Sequence, residues 1–114
     1  MADDEAPTRE LLAMFFRRAG YTVSTVATGR EALAFITTQT PDLLVLDVDL
    51  GDANGIELLA PIKLKFPALP IVIFTGIKTD EATIRRAKEN GANAFMAKTQ
   101  PLQSMLAEIR KLLG

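Results

Sequence analysis

The chain has 114 residues, 48% of them hydrophobic and 24% charged, with a net charge of -1. That is the composition of one folded domain, and it makes no electrostatic case for binding nucleic acid or an acidic membrane. There is no cysteine and no histidine, so a disulfide framework, a thiolate zinc site, imidazole metal ligands and histidine-based catalytic triads are all excluded. No apolar run approaches the roughly 20 residues that a membrane span requires, and no signal peptide is recognisable, so a cytosolic protein is expected.

In chain order, Pro7 to Ala19 places Leu11, Leu12, Phe15, Phe16 and Ala19 at helical spacing, and Gly20 ends that helix. Tyr21 to Val26 alternates and is β-branched, which predicts a strand. Gly29 to Thr38 predicts a second helix with Ala32, Leu33 and Ile36 inward. Pro41-Asp42 predicts a turn, and Leu43 to Leu46 a strand buried on both faces that ends at Asp47. Val48 to Gly55 is rich in loop formers. A third helix runs from about Ile56 to Lys65, with Pro61 expected to disturb its second turn because it lacks an N–H. Pro70 to Thr75 is another buried strand. Thr79 or Asp80 caps a fourth helix reaching Asn90-Gly91, Asn93 to Lys98 is the last strand, and Pro101 opens the final helix at its first turn.

Strands alternating with helices predict an α/β fold, a doubly wound parallel sheet covered by helices on both faces. Polar residues then collect at one sheet edge: Asp47, Thr75 and Lys98 at three strand ends, and Asp3-Asp4-Glu5 just before the first helix. Clustered carboxylates repel unless a cation neutralises them, and a hard divalent ion with oxygen ligands, magnesium in particular, suits such a set. A lysine supplies a compact charge for phosphate oxygens, a threonine hydroxyl one hydrogen bond, and a carboxylate can act as nucleophile. Together they predict a site that accepts a phosphoryl group on Asp47.

Over almost its whole length the chain resembles the receiver domain of bacterial two-component response regulators. The matching pieces, in order, are Asp3-Asp4-Glu5 with Arg9-Glu10-Leu11-Leu12, Gly20-Tyr21-Thr22-Val23, Gly29 to Leu33, Pro41 to Asp47, Asn54-Gly55, Phe74-Thr75-Gly76, Gly91-Ala92 and Lys98. The resemblance implies a single receiver domain over 1–114 with the flavodoxin-like strand order 2-1-3-4-5. It implies that Asp47 is the phosphoacceptor, that Asp4 binds Mg2+ directly and Asp3 through water, and that Asp47 and the carbonyl of Asp49 complete the metal site. It further implies that Lys98 and Thr75 contact the phosphate, that Thr75 and Phe95 form the switch, and that Leu11, Met14 and Phe15 form a docking patch for a sensor histidine kinase or phosphotransfer protein.

Four departures stand out. The family's first strand, an apolar run before the Asp pair, is missing or severely shortened. Gly51 replaces a usual proline, which predicts a looser loop. Thr99 replaces a proline after Lys98, so that peptide is either trans or strained. Asp49 adds a carboxylate near the site, unless it only faces solvent. The missing strand belongs in the middle of the sheet, and without it the flanking strands would lie about 9.6 Å apart with unpaired inner edges. Met1-Ala2 is too short to fill that gap alone. The second strand sliding across to the third, or self-association through the gap, is therefore expected, the latter giving a concentration-dependent dimer and a low thermal midpoint. Two alternative functions are a phosphorylation-independent interaction module on a degenerate receiver fold, and an Asp-nucleophile phosphatase of haloacid-dehalogenase type built on Asp47-Val48-Asp49.

Overall fold

The computed structural model describes residues 1–75 and 81–113. Its elements run α1 (Ala6–Arg18), α2 (Gly29–Thr38), β1 (Leu44–Asp47), α3 (Gly55–Lys65), β2 (Ile71–Thr75), α4 (Glu81–Glu89), β3 (Ala94–Ala97) and α5 (Leu102–Leu113). The three strands form one parallel sheet in the order β1-β2-β3, with Leu44 opposite Ile71 and Val72 opposite Ala94. Alternate side chains feed two apolar layers. Leu44, Leu46, Ile71 and Ile73 pack with Ile36 of α2 and with Ile56, Leu59 and Ile62 of α3. Val45, Val72 and Phe74 pack with Leu12 and Phe16 of α1 and with Met105, Leu106 and Ile109 of α5. This two-sided burial is why β1 and β2 are continuously apolar rather than alternating.

The opening of the chain corrects one expectation and sharpens another. Ala2 bridges Val26 on one side and Leu46 on the other, both parallel. Its N–H donates to Val45 O at 2.8 Å and its carbonyl accepts the Asp47 N–H at 3.0 Å, while Val26 N–H donates to Met1 O at 2.9 Å and Asp3 N–H to Val26 O at 3.1 Å. The order from Val26 through Ala2, β1 and β2 to β3 is therefore 2-1-3-4-5, with the first strand reduced to one bridged residue. The second strand does not slide onto the third, because Ala2 holds the two apart. Tyr21 to Thr25, expected as strand, carries no ladder: only Val26 meets a neighbouring backbone in register, and a strand exists only where such a partner does. Beside Met1 lies a cavity of about 500 Å³ lined by Tyr21, Val23, Ile36, Leu43, Val45 and Ile109.

Helix ends follow local chemistry. Gly20 adopts φ +104°, and the Tyr21 N–H returns to Phe16 O at 3.1 Å, closing α1. Thr28 caps α2 by accepting the Glu31 N–H. Pro61 does not break α3: the helix continues to Lys65, and Pro61 is on its exposed side, where water can take up the freed carbonyl. Pro101 precedes α5 instead of opening it, since its carbonyl accepts the Ser104 and Met105 N–H groups. The predicted cap of α4 at Thr79 or Asp80, and Gly76 of the Phe74-Thr75-Gly76 motif, lie outside the described residues. No described helix is long and apolar enough to cross a membrane.

Candidate functional site

Asp47 ends β1 and is buried, with its carboxylate at the carboxyl edge of the sheet. Asp3 reaches the same edge because it follows the bridged Ala2, and it is completely buried. Lys98 follows β3, its N–H donating to Thr75 O at 2.7 Å, and Thr75 is the buried last residue of β2. The Lys98 ammonium gathers the acids: Asp47 Oδ2 and Glu5 Oε1 lie 2.9 Å away and Asp3 Oδ2 lies 3.0 Å away. It also sits 5.6 Å from the centroid of the Phe74 ring. Carboxylate oxygens of Asp3, Asp4, Glu5 and Asp47 all fall within 4.8 Å of one another.

The Lys98 ammonium pairs with three of these four acids, Asp3, Glu5 and Asp47, and the electrostatics reflect it. Burial pushes the Asp47 carboxyl up to about 6; its hydrogen bond and attraction to Lys98 oppose the shift, and the nearby Asp3 reinforces it. Burial also works against the Lys98 charge, but bonds to Glu5, Asp47 and Asp3 outweigh it and hold that ammonium above its ordinary range. Asp3 Oδ1 accepts the Glu5 N–H at 2.9 Å, whereas the buried Asp3 Oδ2, though close to Lys98, is not aligned for a hydrogen bond with any described group. A buried carboxylate oxygen without a hydrogen bond, inside a cluster of acids, fits a divalent cation with oxygen ligands.

The expected residues do not all converge. Asp3, Asp4 and Asp47 come together, Asp4 as the exposed member, and Glu5 joins them as an acid for which no role was expected. The Asp49 side chain instead accepts the Gly51 N–H at 3.1 Å and is exposed, so its carboxylate is not part of the cluster; its backbone N–H approaches Asp47 Oδ1 at 3.3 Å. Gly51 is more than a loosened position. It adopts φ +77°, which proline cannot, and so closes a tight turn in which Leu50 N–H donates to Ala53 O at 3.1 Å. No cis peptide occurs among the described residues, so Lys98-Thr99 is trans. Phe95 is half-buried against the α2/α3 layer. Leu11 and Met14 are exposed, while Phe15 packs edge-on against Phe16 with ring centroids 5.3 Å apart.

Sequence reasoning missed two supports of the site. Arg9 Nη1 donates to the Asp3 carbonyl at 2.8 Å. Gly55 packs so closely under β1 that a Cβ there would collide with the Asp47 carbonyl oxygen. The Asn54-Gly55 pair was the available signal, but its reason lies in that contact across the turn.

The sequence matches the family model of the response regulator receiver domain over residues 1–110. The chain belongs to this family. The receiver is 29% identical over 113 residues to the probable transcriptional regulatory protein TcrX of Mycobacterium tuberculosis, covering 99% of this chain and 48% of that protein. It thus spans about half the length of that relative. A CheY-like receiver domain protein from Methanospirillum hungatei superposes with a TM-score of 0.91 at 27% identity, over 98% of this chain and 89% of that one. A response regulator from Burkholderia pseudomallei, solved with a phosphorylated aspartic acid, a calcium ion and citrate, superposes with a TM-score of 0.84 at 27% identity, over 96% and 68% of the two chains. Receiver domains of this family are signalling switches, and they bind a divalent metal at the acidic pocket.

Proposed function

We propose that this receiver is a phosphorylation-activated switch that accepts a phosphoryl group on Asp47 from a sensor histidine kinase, a phosphotransfer protein or a small phosphodonor, with Mg2+ as its metal. The observation that carries the reading is the buried pair of Asp3 and Asp47 on the Lys98 ammonium, with Asp3 Oδ2 lacking a hydrogen bond. Asp3, Asp4 and Asp47, with the carbonyl of Asp49, would hold the metal. When bound, it supplies positive charge against the phosphoryl oxygens and the neighbouring carboxylates. An Asp47 oxygen attacks phosphorus, the bond from phosphorus to the donor breaks, and the donor leaves with the electron pair. Lys98, released from Asp47, pairs with a phosphoryl oxygen, and the Thr75 hydroxyl donates to another. Movement of Lys98, Thr75 and Phe95 then shifts a two-state equilibrium of the α4, β3 and α5 surface. Leu11 and Met14, exposed on α1, with Phe15 beneath them, are the proposed kinase-docking patch. A haloacid-dehalogenase-type reading finds no support, because its second acid, Asp49, is turned away to the Gly51 N–H.

Intact-mass spectrometry after incubation with acetyl phosphate and magnesium tests this. A single phosphoryl adduct is expected on the wild type and none on Asp47→Asn. A normal adduct on that variant, or steady turnover of phosphate esters by the wild type, would overturn the assignment.

A further inference from the structure

The turn after Asp47 is anchored to a helix outside the carboxylate cluster. Asp52 Oδ1 accepts the Gly29 N–H at 2.8 Å and Oδ2 accepts the Arg30 N–H at 3.2 Å. Thr28 takes the next two amides, Glu31 N–H on its hydroxyl at 3.1 Å and Ala32 N–H on its carbonyl at 3.0 Å. Asp52 therefore completes the first turn of α2, whose leading N–H groups have no partner within the helix. The same bonds, that to Gly29 foremost, hold the Asp52 carboxyl below its ordinary range. The turn also rests directly on Gly29: a Cβ there would lie 3.1 Å from Ala53 Cβ and 3.0 Å from Leu58 Cδ1. A bare Cα at Gly29 is what allows the approach.

The other end of this turn touches the carboxylate expected to react. Asp49 N–H approaches Asp47 Oδ1 at 3.3 Å, while Oδ2 takes Lys98 at 2.9 Å. Those two contacts on opposite oxygens set the carboxylate plane, which otherwise turns about a soft terminal torsion. Between Asp49 and Asp52 stands Gly51, the least restrained residue available. The turn is closed from within by the Asp49–Asn54 bridge, the Leu50 N–H to Ala53 O bond and the buried Leu50, and the bonds of Asp52 tie that closed turn to the start of α2.

We infer that Asp52 is a positioning residue for phosphoryl transfer: by clamping the turn to the first turn of α2, it holds the Asp49 N–H on the Asp47 carboxylate. The inference rests on the phosphoacceptor reading of Asp47, and it separates from plain helix capping because the hydrogen bonds of Thr28 cap the same helix at Glu31 and Ala32.

The test compares Asp52→Ala, Asp52→Asn and Thr28→Ala in the full chain, by the rate of adduct formation from acetyl phosphate at saturating magnesium and by the Asp49 backbone amide resonance without donor. Asp52→Ala should slow adduct formation roughly tenfold, as small misplacements of reacting groups do, and should shift the Asp49 resonance. Asp52→Asn keeps one acceptor oxygen for the Gly29 N–H and should recover most of the rate. Thr28→Ala should lower the thermal midpoint yet leave both the rate and the resonance at wild-type values. An unmoved Asp49 resonance in both Asp52 variants overturns the inference, as does equal slowing by Thr28→Ala. A wild type that takes no adduct overturns the role in transfer together with the phosphoacceptor reading; a shifted Asp49 amide would then support only the anchor.

Discussion

Asp47 carries opposing demands. As the proposed nucleophile it must be ionised, yet burial favours its neutral form and raises its carboxyl from 3.8 to about 6. Between those values the folded chain holds the proton that the unfolded chain has already lost, so this group's stabilising contribution is complete below pH 3.8 and is lost as pH rises through about 6. Asp47→Asn cannot ionise and escapes that loss. In metal-free buffer the variant should match the wild type below pH 3.8. Above pH 6 it should be more stable by on the order of 1–3 kcal/mol. Denaturant unfolding across this pH range measures the difference, and parallel curves for the two proteins would count against the buried-carboxylate account. Asp52 shows the reverse balance: an exposed acid whose bonds to Gly29 and Arg30 favour the charged form.

At the level of elements, the position between Val26 and β1 is held by Met1 to Asp3, with Ala2 bridged to both sides. Met1 to Asp3 makes backbone bonds to both flanking segments, and the Met1 ammonium donates to Ser24 O at 2.9 Å. That nitrogen stands where a longer strand would place a peptide N–H. Burial lowers its pKa from 8.0 to about 6. The unfolded chain therefore binds more protons than the folded one over this interval, and stability from this group rises with pH between those values. Joining a four-residue apolar segment to the Met1 nitrogen replaces the ammonium by an amide and introduces apolar side chains beside Tyr21, Val23, Leu43 and Val45, which line the cavity. The extended variant should show a higher thermal midpoint and lose the rise in stability between pH 6 and 8. The expected self-association through this gap is read by sedimentation over a concentration series; the extension should abolish it, and a dimer that survives the extension forms elsewhere.

For the whole molecule, the carboxylate cluster links metal binding to folding. Its members come from two places distant in sequence, Asp3-Asp4-Glu5 and Asp47, and only the folded sheet edge brings them within reach of one ion. A ligand that binds the folded state alone stabilises it in proportion to the logarithm of its concentration above Kd, by about 2.7 kcal/mol at a hundredfold excess. Magnesium titration should therefore raise the thermal midpoint of the wild type. Asp4→Ala should largely remove that response and Asp49→Ala should leave most of it, since the Asp49 carboxylate already serves the Gly51 N–H outside the cluster. Equal loss in both variants would refute the proposed ligand set.

Much of this protein is legible in the amino-acid sequence because the deciding interactions are local or strongly patterned. The apolar runs of β1 and β2, the helical spacing of α1 and Gly20 after α1 follow from residue types at short range, and the acid-Asp47-Thr75-Lys98 order follows from placing each at a strand end or before the first helix. They sufficed for the fold class and for the residues proposed to react. Tertiary structure decided the rest. Whether Tyr21 to Val26 forms a strand depends on a neighbouring backbone, which Met1 to Asp3 pairs in register only at Val26, apart from the Met1 ammonium on Ser24 O. Pro61 is tolerated because its helix turns that side to solvent. Asp52 reads as one more polar loop residue until the turn is laid on Gly29, 23 positions earlier, and Glu5 reads only as a member of the acidic cluster until it meets Lys98, 93 positions later. Short-range pattern specifies which segments become buried and extended or helical, but backbone pairing and charge pairing between distant segments depend on distances of a few ångströms that only the assembled fold defines.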